Sequence, residues 1–198
     1  YGTLRCAVMG LKNTAPTPKE MIAMEDLLQK SLEQGAAGLT TGLEYLPDFL
    51  SHTDELIRLC RVITRSNKLY ASHIRGESQT LFPSLAEAIR TAEASGCQVE
   101  ISHLKLGGTF NWGKTEQLFT LLEEALSRGV RLSWDQYPYT AWETGLADYI
   151  PRWFREEGHQ KLTANLSGHS TRKKIRLEIE QAIKTGNHVY NIAPWENV

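Results

Sequence analysis

Short apolar runs alternate with amphipathic stretches along this chain, at a spacing of about thirty residues. The runs begin near Ala37, Leu69, Val99 and Val130, and each predicts a buried β-strand because apolar residues are grouped between polar turns. The stretches between them repeat apolar side chains every three or four positions, which is typical of α-helices. Parallel neighbouring strands need a crossover of about a dozen residues or more, so the pattern predicts right-handed βαβ units and a parallel sheet.

Four predicted helices carry start and stop signals. The segment Thr17-Pro18-Lys19-Glu20 is a capping box with proline at the first helical position, and Gly35 ends that helix. The signals of the next three helices are Thr53, Gly96, Thr115 and Gly129. The four apolar stripes are Met21, Met24, Leu28 and Leu32; Leu56, Cys60 and Ile63; Leu85, Ile89 and Ala92; and Leu118, Leu121, Leu122 and Ala125. After Tyr139 the pattern breaks, and it predicts helical segments over 149–154 and 171–183 and a strand over 188–192.

The length of the chain limits what this α/β pattern can form. A complete barrel of eight βα units takes about 250 residues, and the chain has 198. The pattern therefore supplies either half of a barrel or a whole open sheet. Because the chain begins with tyrosine and ends shortly after an apolar run, we expect it to be a piece of a longer protein.

The amino-acid composition of the chain limits the classes of molecule that we expect it to bind. The chain has 22 basic and 23 acidic residues, so neither nucleic acid nor an anionic membrane is favoured. No apolar stretch reaches the roughly 20 residues that span a bilayer and the first residues lack a signal-peptide pattern, so we expect a cytoplasmic protein. Cys6, Cys60 and Cys97 are odd in number and widely spaced, which argues against a disulfide framework and favours buried thiols.

Two similar segments mark the ends of successive predicted strands, 69–74 and 99–104. They are Ser72-His73-Ile74-Arg75 and Ser102-His103-Leu104-Lys105. Ligands gather at the carboxyl ends of strands in parallel α/β sheets. Neighbouring strands lie roughly 4.8 Å apart, so two imidazoles there can share one zinc ion at about 2.0–2.1 Å each. We predict His73 and His103 as metal ligands; the histidines without this pattern, predicted to lie at the surface, are His52, His159, His169 and His188.

Other residues at the same edge are candidates for substrate contact. Arg75 and Lys105 each lie two positions past a histidine, where a cation can pair with a carboxylate. The alternative for either residue is an ordinary ion pair, for example with Glu77. Tyr137 and Tyr139 follow the next strand on either side of a proline, which predicts a rigid turn with phenol donors, although tyrosines also fill protein cores.

A rival motif lies between the third strand and the next helix. Segment 108–115 fits the phosphate-binding pattern G-x-x-x-x-G-K-[ST], and Asp135 follows as a plausible metal-binding residue. This reading predicts a nucleotide-binding domain. Phe110 and Trp112 argue against it, since they put bulk where backbone N–H groups must surround phosphates. A non-catalytic binding module is a further alternative.

Five segments occur in a distinctive order and spacing. They are Thr41-Gly42-Leu43-Glu44-Tyr45, Ser72-His73-Ile74-Arg75, Ile101-Ser102-His103-Leu104-Lys105, Asn111-Trp112-Gly113 and Asp135-Gln136-Tyr137-Pro138-Tyr139-Thr140-Ala141. Over nearly the whole chain they resemble the N-acyl-D-amino-acid deacylases of the amidohydrolase superfamily. In that family Asn-Trp-Gly and a basic residue follow the second histidine with no nucleotide involved, which accounts for the rival motif.

The resemblance implies a zinc-dependent (β/α)8 barrel with a small β-sandwich beside it. Residues 1–198 would form a single partial barrel domain of about four to five central βα units, incomplete on its own. The implied reaction is hydrolysis of the amide of an N-acyl-D-amino acid to a carboxylate and a free D-amino acid. The implied zinc ligands are His73 and His103, and residues matching Tyr45, Lys105 and Tyr137 face the substrate, with Lys105 holding its carboxylate.

The chain also departs from the family. It has no His-x-His, and Cys6 lies too close to the first helix to match the family's zinc-bridging cysteine. The catalytic aspartate is expected beyond Val198, so we expect no catalytic residue within this segment, weak metal binding and no activity alone. An opened barrel exposes strand edges, which predicts self-association. Trp142 and Glu143 replace small residues, and Glu143 is expected to disfavour acidic D-amino acids by repulsion.

Overall fold

Four parallel strands form one sheet in chain order, and a helix connects each strand to the next. The computed structural model describes residues 1–185. The strands are β1 (Gly38–Gly42), β2 (Leu69–His73), β3 (Gln98–Ile101) and β4 (Leu132–Trp134). The helices are α1 (Gly2–Met9), α2 (Pro18–Glu33), α3 (Thr53–Arg65), α4 (Leu81–Ser95), α5 (Thr115–Ser127), α6 (His159–Ser167) and α7 (His169–Thr185). The strand predicted over 188–192 lies outside the described residues.

The register of the sheet brings the carboxyl ends of the strands to one edge. Gly42 at the end of β1 pairs with His73 at the end of β2. Ile101 at the end of β3 pairs with Ser72 on one side and with Trp134 on the other. All of these pairings are parallel, so the α/β class and the succession of barrel-type βα units are confirmed.

The local signals for the first four predicted helices are also confirmed. The Thr17 side chain accepts a hydrogen bond from the Glu20 backbone N–H, and the Glu20 carboxylate accepts one from the Thr17 N–H. These bonds satisfy backbone donors at the start of α2. Gly96 ends α4 with φ of 72°, in the left-handed region that only glycine adopts at little cost.

The secondary structure of the first residues and of the residues after Tyr139 differs more from the sequence-based prediction. The pattern did not predict α1 or α6. The helical segment expected over 149–154 consists of two 3-10 turns, Leu146–Tyr149 and Arg152–Phe154, with Pro151 between them. Proline restricts the residue before it to extended backbone, and Ile150 has ψ of 134°. The expected helix over 171–183 is confirmed as the longer α7.

The main core lies between the sheet and helices α2 to α5. Its fully buried side chains include Met24, Leu59, Leu85, Val99 and Leu122. A second, smaller cluster joins α6 and α7 to the preceding 3-10 turn through Phe154, Leu162, Ile175 and Ile179. Cys60 and Cys97 are buried free thiols as predicted, whereas Cys6 is half-buried. Within residues 1–185, no helix has both the length and the apolar character that a membrane span requires.

Candidate metal centre and its cavity

His73 and His103 face each other at the ends of neighbouring strands. His73 is the last residue of β2, and its ring centroid lies 4.6 Å from that of His103, with an interplanar angle of 74°. His73 Nδ1 is 2.9 Å from His103 Nε2. The two imidazoles predicted to share a metal are therefore in direct contact.

The turn after β3 determines the position of His103. The strand expected to continue to Leu104 ends at Ile101, and His103 has φ of 43°, a conformation uncommon for residues other than glycine. Asp135 stabilises this turn. The His103 backbone N–H donates to Asp135 Oδ1 at 2.5 Å, and the Leu104 N–H donates to the Asp135 carbonyl at 2.9 Å.

Each histidine also contacts a carboxylate on its outer side. His73 Nε2 lies 3.1 Å from Glu44 Oε2, and His103 Nδ1 lies 2.8 Å from Glu77 Oε1. Glu44 follows β1 and Glu77 follows β2, so three successive strand ends contribute to one cluster. Both carboxylate side chains are buried, with exposed fractions of 9% and 7%.

The donor set fits zinc. Ligand atoms of His73, Glu77 and His103 all lie within 4.8 Å of one another. Two nitrogens bound tetrahedrally at about 2.0–2.1 Å are separated by about 3.3 Å. The inner nitrogens, now 2.9 Å apart, therefore need to separate by only a few tenths of an ångström. Imidazole nitrogen is among the preferred ligands of zinc.

Lys105 neutralises part of the negative charge of this cluster. Its Nζ lies 2.5 Å from Glu77 Oε1 and 3.0 Å from His103 Nδ1. Burial alone would raise the pKa of Glu77. The hydrogen bond from His103 and the positive charge of Lys105 outweigh that effect and hold the pKa of Glu77 below its ordinary value. Glu77 is therefore an ionised hydrogen-bond acceptor at neutral pH.

A cavity of about 670 Å³ opens over the two histidines. It is lined by Tyr45, His73, Glu77, His103, Lys105, Tyr137, Tyr139, Ala141, Trp142 and Glu143. The predicted site residues Tyr45, Lys105 and Tyr137 thus lie in the same cavity as the predicted metal ligands.

The two predicted tyrosines flank the metal-ligand pair. The Tyr45 ring lies 4.8 Å from the His73 ring, and Lys105 Nζ lies 5.4 Å from the centre of the Tyr137 ring. Burial raises the pKa of both phenol groups, so both remain protonated hydrogen-bond donors at neutral pH. Within residues 1–185, the buried Tyr137 hydroxyl has no hydrogen-bond partner.

Arg75 does not line this cavity, which corrects its predicted place beside the substrate. Its Nε and Nη2 donate to the two carboxylate oxygens of Glu87 on α4, at 2.8 and 2.9 Å. The guanidinium also donates to the backbone carbonyls of Phe49 and Ser51. Arg75 therefore ties α4 to the loop after β1. The alternative of an ion pair with Glu77 is confirmed for Lys105, whereas the partner of Arg75 is Glu87.

The loop that matches the phosphate-binding pattern has a local structural role. Residues Thr109–Asn111 form a 3-10 turn. The buried Asn111 side chain donates to the carbonyls of Ser78 and Gly107, and its Oδ1 accepts from Lys114 at 3.1 Å. The lysine that would contact a nucleotide instead closes its own loop, so this geometry favours the deacylase-type reading of the segment.

Sequence reasoning missed the roles of Glu44, Glu77 and Asp135. Glu44 was part of a matching segment without a role, and Glu77 was considered only as an ion-pair partner of Lys105 or Arg75, not as a partner of His103. The available signal was position, since each of the three follows a strand that ends at the predicted site. Trp142 and Glu143 line the cavity, and their effect on substrate preference stays a prediction.

Comparison with known sequences identifies relatives. No protein-family model matches the chain. The chain is 36% identical over 146 residues to the D-aminoacylase of Alcaligenes xylosoxydans xylosoxydans, which covers 74% of this chain and 30% of that protein. It is 35% identical over 139 residues to the N-acyl-D-glutamate deacylase of the same organism, covering 70% of this chain and 28% of that protein. The chain thus spans about three tenths of the length of these relatives.

Solved structures show the same relationship. An N-acyl-D-glutamate deacylase from Bordetella bronchiseptica, complexed with zinc and a phosphonate inhibitor that mimics the tetrahedral intermediate, matches with a TM-score of 0.67 at 36% identity, over 70% of this chain and 29% of that one. A D-aminoacylase described as defining a novel subset of amidohydrolases matches with a TM-score of 0.66 at 35% identity, over 70% and 29% of the two chains. This chain is therefore a relative of the N-acyl-D-amino-acid deacylases within the amidohydrolases.

Proposed function

We propose that this chain carries the zinc-binding histidines and part of the substrate cavity of an enzyme that hydrolyses N-acyl-D-amino acids. The observation that carries the proposal is the contact between His73 Nδ1 and His103 Nε2 at adjacent strand ends. The relatives named as D-aminoacylase and N-acyl-D-glutamate deacylase support the substrate class. The products would be a carboxylate and a free D-amino acid.

Some residues of the cavity would bind the metal, and others would bind the substrate. His73 and His103 would hold zinc, which when bound polarises an amide carbonyl and lowers the pKa of a bound water to about 7. Lys105 would pair with the substrate carboxylate through donors not used by Glu77. The unpartnered Tyr137 hydroxyl would donate a hydrogen bond to the substrate. Tyr45 would pack beside the reacting group, next to His73.

We propose that the chain alone does not turn over substrate. Catalytic zinc normally has three protein ligands, and the sequence offers two histidines at the site and no His-x-His. A test is to replace the matching segment of the Alcaligenes D-aminoacylase with this chain and to assay N-acetyl-D-leucine hydrolysis with zinc. We expect the chain alone to release no leucine and the chimera to release D-leucine.

The chimera experiment needs two controls. N-acetyl-L-leucine tests the handedness of the substrate, and chimeras with His73→Ala or His103→Ala test the site, since losing a ligand removes transition-state stabilisation. A folded, zinc-loaded chimera without activity would contradict the proposed function.

We also propose that copies of this chain associate in solution. Among residues 1–185, β4 pairs only with β3, so its other edge presents backbone donors and acceptors. Such an edge readily pairs with another chain. Size-exclusion chromatography with light scattering at about 50–100 μM protein is expected to show dimers or larger species, and a monomer across that range would contradict the proposal.

A further inference from the structure

We propose that Glu44 and Glu77 are positioning residues for the two histidines: each accepts the outer ring N–H of one imidazole and directs the inner nitrogen at the shared metal. This inference rests on the proposed zinc site. It assigns a role to two buried carboxylates that contact the metal ligands but need not contact the metal.

The order of contacts supports this assignment. His73 presents Nδ1 to His103 and Nε2 to Glu44, while His103 presents Nε2 to His73 and Nδ1 to Glu77. In a neutral imidazole one nitrogen donates and the other accepts. A carboxylate can only accept when ionised, so each glutamate requires the proton on the outer nitrogen. The 2.9 Å contact between the inner nitrogens holds one proton while no metal is bound. When a common ion displaces that proton, the lone pairs of both inner nitrogens face the ion.

Because Lys105 lies beside His103, the tautomer of His103 has to be fixed by Glu77. Its Nζ lies 3.0 Å from His103 Nδ1, and an ammonium can only donate. Without Glu77, Lys105 would favour the tautomer in which Nδ1 accepts and Nε2 carries the proton, which blocks metal binding at Nε2. Because Glu77 Oε1 accepts from both Lys105 and His103, the carboxylate keeps the metal-binding tautomer beside a lysine.

The same geometry argues against Glu77 as a direct ligand. Glu77 contacts His103 Nδ1, whereas Nε2 on the opposite side of the ring faces His73. One ion bound by all three residues would require the His103 ring to turn away from His73. Carboxylates that accept from the second nitrogen of a metal-bound histidine commonly fix its tautomer and orientation.

Zinc affinity tests the proposal on the full chain. Glu44→Gln and Glu77→Gln keep the side-chain shape but replace an ionised acceptor with a neutral amide. Competition with a chromophoric chelator is expected to show about 10- to 100-fold weaker zinc binding in each variant. The matched control is Glu93→Gln, which removes a surface charge paired with Arg128 and is expected to change the affinity less than twofold. Unchanged affinity in both test variants would overturn the proposal.

A second readout does not depend on any substitution folding well. Long-range ¹H–¹⁵N NMR of the zinc-loaded chain is expected to show protons on His73 Nε2 and His103 Nδ1. An unprotonated His103 Nδ1 in the unsubstituted chain would overturn the proposal.

Cobalt separates a positioning residue from a ligand. The visible spectrum of the Co²⁺-loaded chain is expected to be the same in Glu77→Gln, because the ligand set is unchanged. A spectrum that indicates a lost ligand would overturn the assignment. If the unsubstituted chain did not bind zinc, the proposed function itself would be refuted. If His73→Ala abolished zinc binding but Glu44→Gln and Glu77→Gln left it unchanged, only this inference would be refuted.

Discussion

Replacing His73 or His103 with alanine is expected to weaken zinc binding by the chain at least about 100-fold, since each change removes one of two imidazole ligands. The remaining imidazole would still contact one carboxylate, but a single nitrogen donor cannot hold zinc against water. Titration with a chromophoric zinc chelator measures the loss directly. Circular dichroism checks that the variants remain folded, as expected for side chains at the edge of the sheet rather than in its core.

The matched control for these variants is His159→Ala. His159 is exposed at the start of α6 and does not line the cavity. Its removal is expected to change the affinity less than twofold. If His159→Ala weakened zinc binding as much as His73→Ala does, the metal would not be held where we place it.

Replacing Arg5 with methionine is expected to lower the free energy of unfolding by about 3–5 kcal/mol, the usual cost of breaking a buried ion pair. Arg5 is fully buried, and its Nε donates to Glu55 Oε1 at 3.2 Å. Its other donors bond the carbonyls of Lys12 and Thr14. Without Arg5, the Glu55 carboxylate and these carbonyls would be left inside the protein with fewer partners. Urea unfolding followed by circular dichroism measures the change.

A double substitution separates lost charge pairing from lost packing. Arg5→Met with Glu55→Gln removes both charges, so it is expected to cost less than Arg5→Met alone. Arg61 provides the matched surface control: it is exposed on α3, and Arg61→Met is expected to change stability by no more than about 0.5 kcal/mol. A double variant as unstable as Arg5→Met would contradict the explanation by an unpaired buried charge.

The sheet and its helices could be predicted from the sequence because the signals are local. Apolar runs about thirty residues apart gave the four parallel strands, and the capping box at Thr17 and the glycine at Gly96 gave helix ends that the structure confirms. The position of His103 could not be predicted in the same way. Its left-handed turn depends on Asp135, which lies 32 residues further along the chain.

Local sequence patterns also could not predict which residues pair with the charged side chains at the site. Glu44 contacts His73 across 29 positions, and Glu77 contacts Lys105 across 28. Arg75 followed the same sequence pattern as Lys105, yet it turns to Glu87 on α4. Residues with equivalent places in successive βα units thus differ in role, because the nearest carboxylate is supplied by the tertiary structure.

The most direct test of the account is X-ray absorption at the zinc K-edge on the chain loaded with one equivalent of zinc. We predict two imidazole nitrogens at about 2.0–2.1 Å, and loss of this imidazole signal in His103→Ala under the same conditions. A first shell without imidazole, or one that His73→Ala and His103→Ala both leave unchanged, would contradict the shared metal site.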